Sequence, residues 1–312
     1  MTLKNRFVKW TMTILLTISL LLIIGFIYER IGRNADMKKY PPVGETVEYD
    51  GEKIHYINEG SGDGTVVFTS GSGTSSPYAD MYHLQEEISS SAEAIIYERP
   101  GYGWSDTTSL ERSISNITDE MEAIITAASE NNAYIFVGHS MAALEIFAFA
   151  QKYPEKVKGI VLIDGVNPDY ASQMGNLVPI SIHGARTLKN IGGLRLYSKI
   201  GGSLIQNNHL PESKHDQAAA ITLDKMWNST MIAERKALNR NGESVTNGGK
   251  LRNIPLVIFS AAQNPMEGWA DSQEQLTSWS ENAKQIWIDT DNHFIHYEEP
   301  DRIIREIDHL LE

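Results

Sequence analysis

The 312-residue chain has no cysteine, which excludes disulfide frameworks and thiolate metal sites. It has no internal repeat or low-complexity tract, and no shift in composition marks a split into two domains. The length suits one large domain with a substantial core. Basic residues are scarce, 27 Lys and Arg against 40 Asp and Glu, for a net charge of −13. Residues 1–40 hold seven basic and two acidic residues, a local +5, so the rest of the chain carries −18. Phosphate neutralisation needs Lys and Arg, so nucleic acid is excluded as a partner. No cluster of His or Cys offers a metal site, and nothing in the sequence calls for a cofactor.

One long apolar run is present. Residues 11–28, "TMTILLTISLLLIIGFIY", carry no charge. As a helix they span about 27 Å, roughly the hydrocarbon thickness of a bilayer. Lys4, Arg6 and Lys9 precede the run. A cleaved signal peptide is the competing reading, but its apolar region is usually shorter and ends in a small-residue cleavage site. None stands in "GFIYERIGRNA". Residues 1–30 are therefore expected to be a single-pass anchor in the cell membrane, with the amino terminus inside and the main domain extracytoplasmic. Residues 31–45, with Pro41 and Pro42, read as a stalk.

From residue 46 strands and helices alternate. "ETVEYD" and "KIHYINEG" read as strands joined by an Asp50-Gly51 turn. Short apolar runs follow at 65–70, 92–98, 133–137, 158–165, 254–261 and 284–290, with helical stretches near 113–131, 142–153 and 300–312. That rhythm predicts a mostly parallel sheet covered on both faces. Residues 166–250 hold helix formers and no strong strand, and read as an inserted helical lid.

Open parallel sheets bind ligands beyond the carboxyl ends of their strands. At one such end stands "FVGHSMAALE", with Ser140 between an incoming strand and an outgoing helix. Small neighbours are needed where strand and helix nearly touch. Gly138 and Ala142 meet that need, although Ala142 stands where a G-x-S-x-G pattern has its second glycine. The turn would expose the Ser140 hydroxyl and leave the Met141 N–H free to stabilise an oxyanion.

Five stretches in order, "VVFTSGSG", "IIYERPGYGWSD", "VGHSMA", "VLIDGVNPD" and "DNHFIHYEEP", make residues 46–312 resemble the α/β-hydrolase family. The resemblance implies an α/β fold with a mostly parallel sheet, flanking helices and a lid. It implies serine acyl chemistry with no metal or cofactor. It makes Ser72 N–H the second oxyanion donor, although Ser70 stands where relatives usually have histidine. It gives the "RPGYGWSD" loop, with Arg99, Gly101 and Gly103, an architectural role. Of nine histidines, His293 occupies the family position for the general base, with His296 as rival. The usual place for the acid holds Gln263 and Asn264 instead. Asp164, at the end of the strand following the nucleophile's helix, keeps the order Ser…Asp…His, with Glu267 and Asp271 as rivals.

These readings combine into a membrane-anchored serine hydrolase that cleaves a small or medium carboxylic ester through an acyl-enzyme, using Ser140, His293 and Asp164. A serine at the turn speaks against the epoxide-hydrolase and dehalogenase branches. An amidase or peptidase of the proline-iminopeptidase type, an acyltransferase and an inactive binding module are the alternatives.

Overall fold

Val66, Val67 and Phe68 are fully buried and alternate between two apolar layers, which is the pattern of a strand covered on both faces. They belong to β3 (Thr65–Thr69), inside an eight-stranded sheet. The structure is a computed structural model that describes residues 3–312. The other strands are β1 (Glu45–Tyr49), β2 (Glu52–Glu59), β4 (Glu93–Glu98), β5 (Tyr134–His139), β6 (Val157–Ile163), β7 (Leu256–Ala261) and β8 (Ala283–Ile288). Their spatial order is β1-β2-β4-β3-β5-β6-β7-β8. β2 pairs antiparallel with β1 and β4; all other pairings are parallel.

One face of the sheet is covered by α3 (Ile114–Ala128) and α4 (Ala142–Lys152), with Met121, Ile124 and Phe147 in its core. The other is covered by α2 (Pro77–Ile88) and α11 (Pro300–Leu311), through Met81, Leu84, Ile303 and Ile307. Helix α2 has no counterpart in the sequence reading. Its start is nonetheless written locally, since Ser76 caps the Ala79 N–H and Pro77 takes the first turn.

Between β6 and β7 lie five helices, α5 (Pro168–Gln173), α6 (Ile180–Asn190), α7 (Gly193–Lys199), α8 (Glu212–Lys225) and α9 (Ser229–Gly248). Helix α10 (Trp269–Leu276) follows β7 and was also not anticipated by periodicity.

The amino-terminal helix α1 (Leu3–Lys39) is long and apolar enough to cross a membrane, with a mean hydropathy of 2.3 in its best window. The expected stalk at 31–45 is corrected here: the helix continues without a break to Lys39. Nothing before Pro41 stops it, and its second half is held by charge. Arg195 of α7 bonds both Glu29 oxygens, at 2.9 and 2.8 Å, and Asp36 at 2.5 Å. Arg33 pairs with Asp224 of α8.

Candidate active site

The loops that follow β3, β5, β6 and β8 meet at the carboxyl edge of the sheet. Ser140, directly after β5, has φ +55°. A non-glycine residue rarely occupies this left-handed region, and its strain is held here by the sharp strand-to-helix turn. Its N–H donates to Ile163 at 3.1 Å, and Val166 N–H donates back to the Ser140 carbonyl at 2.9 Å. The turn is thus stitched to β6 on both sides. A Cβ on Gly138 would lie 2.3 Å from Ile146 and 3.2 Å from the Ala142 methyl. The first position therefore needs glycine, while alanine fits the second.

Asp164 ends β6, next to β5 in the sheet, also with positive φ (+45°). Its carboxylate is fully buried. It accepts from the Ala261 N–H at 3.1 Å, the Trp269 indole at 3.0 Å and the Asn264 amide at 2.8 Å. The His293 Nδ1–H completes the set at 2.6 Å. Asn264, at the place where an acid is usual in the family, thus serves as a donor to the acid from the neighbouring strand. Trp269 also packs edge-on against the His293 ring, centroids 5.6 Å apart. Three neutral donors fix the carboxylate in place, and the imidazole it holds through Nδ1 is partly exposed.

Ser70, Gly71 and Ser72 follow β3. A Cβ on Gly71 would stand 2.9 Å from the Ser140 Cβ, so this loop lies directly against the Ser140 turn. Among the described residues, the Ser72 and Met141 N–H groups donate to no protein acceptor. Met141 is the cap residue of α4 and has no side-chain cap, so that helix start is open toward the site. Arg99 holds the loop from behind. It donates to the Ser70 carbonyl at 2.8 Å and the Gly71 carbonyl at 3.3 Å, pairs with Glu145 at 2.7 Å, and stacks on Tyr102 at 4.4 Å. These contacts are of the architectural kind that the resemblance implies for this loop. Burial raises the Glu145 carboxyl, and Arg99 counters that shift.

His296 does not share the edge with Ser140. It is buried, and its Nε2–H donates to Asp80 at 3.0 Å. Asp80 also accepts from the Tyr297 hydroxyl, and from Ser70 Oγ at 2.7 Å. Burial pushes the Asp80 carboxyl up, but His296, with help from His139 and Tyr297, outweighs it and holds the group well below the usual carboxylate range. His139 lies between the two systems. Its Nε2–H donates to the His293 carbonyl at 3.1 Å, and burial, with repulsion from His293 and His296, drives its pKa well below 6.5. Asp80, Tyr297 and Ser70 were not singled out from the sequence as one network, because residues 80 and 297 meet only in the fold. Among the described residues, Glu267 and Asp271 make no bond to His293. The Glu267 backbone carbonyl accepts from Tyr170 at 3.0 Å.

Ser140, in a left-handed turn on the sheet edge that also carries the half-open Asp164–His293 pair, on a sheet with this strand order, decides the lineage. The chain belongs to the alpha/beta hydrolase fold family, whose pattern matches residues 64–300. It is similar to "Uncharacterized protein YbdG" of Bacillus subtilis, 26% identical over 77% of this chain and 75% of that one. In three dimensions it is similar to Cfl2 from Burkholderia cenocepacia, with a TM-score of 0.67 and 21% identity, over 86% of this chain and 95% of that one. It is also similar to an epoxide hydrolase of Bacillus megaterium, with a TM-score of 0.64 and 17% identity, over 86% and 99%. These structural likenesses extend over the hydrolase fold alone.

A cavity of about 290 Å³ opens beside the Ser70–Ser72 loop. Ser72, Thr74 and Ser76 line one wall, Met226 and Trp227 of the inserted segment another, and Phe294, next to His293, a third. Among the described residues its lining holds no Lys, Arg or His.

Proposed function

We propose that this hydrolase-fold protein is a membrane-anchored serine hydrolase that cleaves an uncharged carboxylic ester through an acyl-enzyme. The observation that carries the reading is the 2.6 Å Asp164–His293 bond at the edge where the strained Ser140 turn presents its hydroxyl. His293 takes the Ser140 proton as Oγ attacks the acyl carbon, and Asp164 stabilises the imidazolium that forms. The Ser72 and Met141 N–H groups receive the developing oxyanion. His293 then returns its proton to the departing alcohol, and water, deprotonated by the same ring, releases the acid. Serine at the turn separates this chemistry from that of an aspartate nucleophile.

The cavity supports a small, uncharged substrate. Hydroxyl-bearing residues, aromatic rings, the amide residues Gln206 and Asn207 and the acidic Asp80 line it, and among the described residues no cation is present there to hold a carboxylate or phosphate. The five inserted helices, residues 166–250, act as a lid over it. For α1 the anchor reading is favoured over a cleaved leader. Cleavage after the apolar run would leave the helix start frayed, and cleavage beyond Asp36 would strip Arg195 of its partners. Basic residues flank the apolar run on both sides, Lys4, Arg6 and Lys9 before it and Arg30, Arg33, Lys38 and Lys39 after it; the topology proposed keeps the short amino terminus inside and the large domain extracytoplasmic.

A fluorophosphonate probe tests the reading. The wild type is expected to label covalently at Ser140, and Ser140→Ala to fold and remain unlabelled. A folded wild type that takes no label makes the protein a binding module instead.

A further inference from the structure

We infer that α6 and α7 form a second membrane contact, a basic and apolar face that rests on an anionic bilayer beside the anchor. The inference deepens the anchored reading above and rests on it.

The first observation is the depth at which these helices meet α1. The elbow between α6 and α7 packs backbone against backbone on the apolar run. A Cβ on Gly25 would lie 2.3 Å from the Ile191 carbonyl oxygen, and one on Gly192 would lie 2.9 Å from both the Gly25 oxygen and the Tyr28 ring. Gly192 has φ +74°, a conformation that suits glycine and allows this approach. Gly25 sits three residues inside the end of the uncharged run at Tyr28, about 4.5 Å of helix rise. If residues 11–28 span the bilayer, the elbow therefore reaches the headgroup and upper acyl zone.

The second observation is what flanks the elbow. Leu188 and Ile180 of α6 are two helical turns apart and share a face; Leu196 of α7 and Ile200, the residue that caps it, are one turn apart. All four are exposed, Ile180 at 89% and Ile200 at 76%, with Leu177 and Tyr197 beside them in the chain also exposed. Six large apolar side chains exposed between residues 177 and 200 are the kind of apolar surface that marks an interaction site.

The third observation is charge. From residue 170 to residue 211 there is no Asp or Glu, while Arg186, Lys189, Arg195 and Lys199 are present. This basic island sits in a body that otherwise carries strong negative charge. Lys189 and Arg195 turn inward to Asp224 and to α1. Lys199 is exposed, with its ammonium 6.0 Å from the Tyr28 ring. Apolar side chains with flanking cations on short helices are the composition that lies in the interface of anionic membranes.

The consequence concerns substrate entry. Ile200 is four residues from Leu204, which lines the cavity, a separation of at most roughly 14 Å of extended chain. The bilayer-facing patch and the cavity wall are thus parts of one stretch of chain, and an uncharged ester dissolved in the interface arrives at the lid.

The chain has no native cysteine, so single-cysteine variants of the full-length protein can carry an environment-sensitive fluorophore. Leu20→Cys reports the anchor, Ile200→Cys the patch, and Ser90→Cys a surface at the opposite end of the sheet. Each is reconstituted in phosphatidylcholine vesicles containing phosphatidylglycerol, with and without a shallow spin-labelled quencher lipid. Blue-shifted, quenched emission is expected at positions 20 and 200, and water-like, unquenched emission at 90. Removing phosphatidylglycerol is expected to weaken the signal at 200 and leave 20 unchanged. Quenching at 20 with water-like emission at 200 overturns the second contact and leaves the anchor standing. Water-like emission at 20 overturns both.

Discussion

The molecule contains two carboxylate–imidazole pairs within one region, Asp164–His293 at 2.6 Å and Asp80–His296 at 3.0 Å. Their chemistry is alike and their surroundings differ. The His293 side chain is 29% exposed, that of His296 1%. Asp164 takes its other hydrogen bonds from an indole, an amide and a backbone N–H. Asp80 takes its own from Tyr297 and from Ser70 of the loop after β3. A proton acceptor must be reachable by a substrate-facing nucleophile, so the half-open pair suits chemistry and the closed pair suits architecture. Pairing alone does not mark a base; its accessibility to a substrate-facing nucleophile must be added.

The largest effects should separate the pairs outright. Ser140→Ala and His293→Ala are each expected to lower kcat on a nitrophenyl ester by about 10⁶, the scale seen when a serine triad loses either member. Circular dichroism should show both folded. Asp164→Asn is expected to cost about 10⁴ in kcat with the fold retained, because the imidazolium loses its counter-charge and its tautomer is no longer set. A loss below tenfold there, with a large loss in Glu267→Gln or Asp271→Asn, would move the acid to the later loop.

His296→Ala should behave in the opposite manner. It leaves the Asp80 carboxylate buried without its imidazole partner, and breaking a buried pair in this way typically costs about 3–5 kcal/mol of stability. Urea unfolding should register that loss, while kcat changes by less than about tenfold. A collapse of kcat at unchanged stability would make His296 the base and dissolve the contrast between the pairs.

The smallest expected effect is on pH dependence. His139, wedged between the pairs, titrates well below 6.5 when folded. Below about pH 6.5 the unfolded chain therefore binds a proton that the folded chain refuses, and stability falls as pH falls, by at most about 1.4 kcal/mol per pH unit for this one group. His139→Asn should flatten that part of the urea-midpoint profile against pH. An unchanged profile would mean that His139 charges freely in the folded state.

Most strands were legible because each is a short apolar run closed by turn residues, and the order of those runs sufficed for the α/β-hydrolase fold. Helices α2 and α10 were not, since "PYADMYHLQEEI" and "WADSQEQL" are short and weakly periodic. The strand-to-helix turn at Ser140 was legible from Gly138 and Ala142, since the steric demand is local. Asp164 followed from topology, because a strand placed next to β5 must end at the same edge.

Those features rest on neighbours in sequence or on the succession of elements, and the sequence by itself determined them: the parallel sheet, the sharp serine turn, the apolar amino-terminal run, the candidates Ser140, Asp164 and His293. Only the tertiary structure decided what depends on contacts between distant residues. It set His293 and His296, three positions apart, in different surroundings, burying the second against Asp80, 216 residues away. It made Asn264 a donor to Asp164 and placed Arg99 against the loop after β3. It also turned the expected stalk into helix, because Glu29 and Asp36 meet Arg195, 166 and 159 residues further on. Local pattern carries backbone geometry; which side chain faces water and which is paired is set by packing across the whole chain.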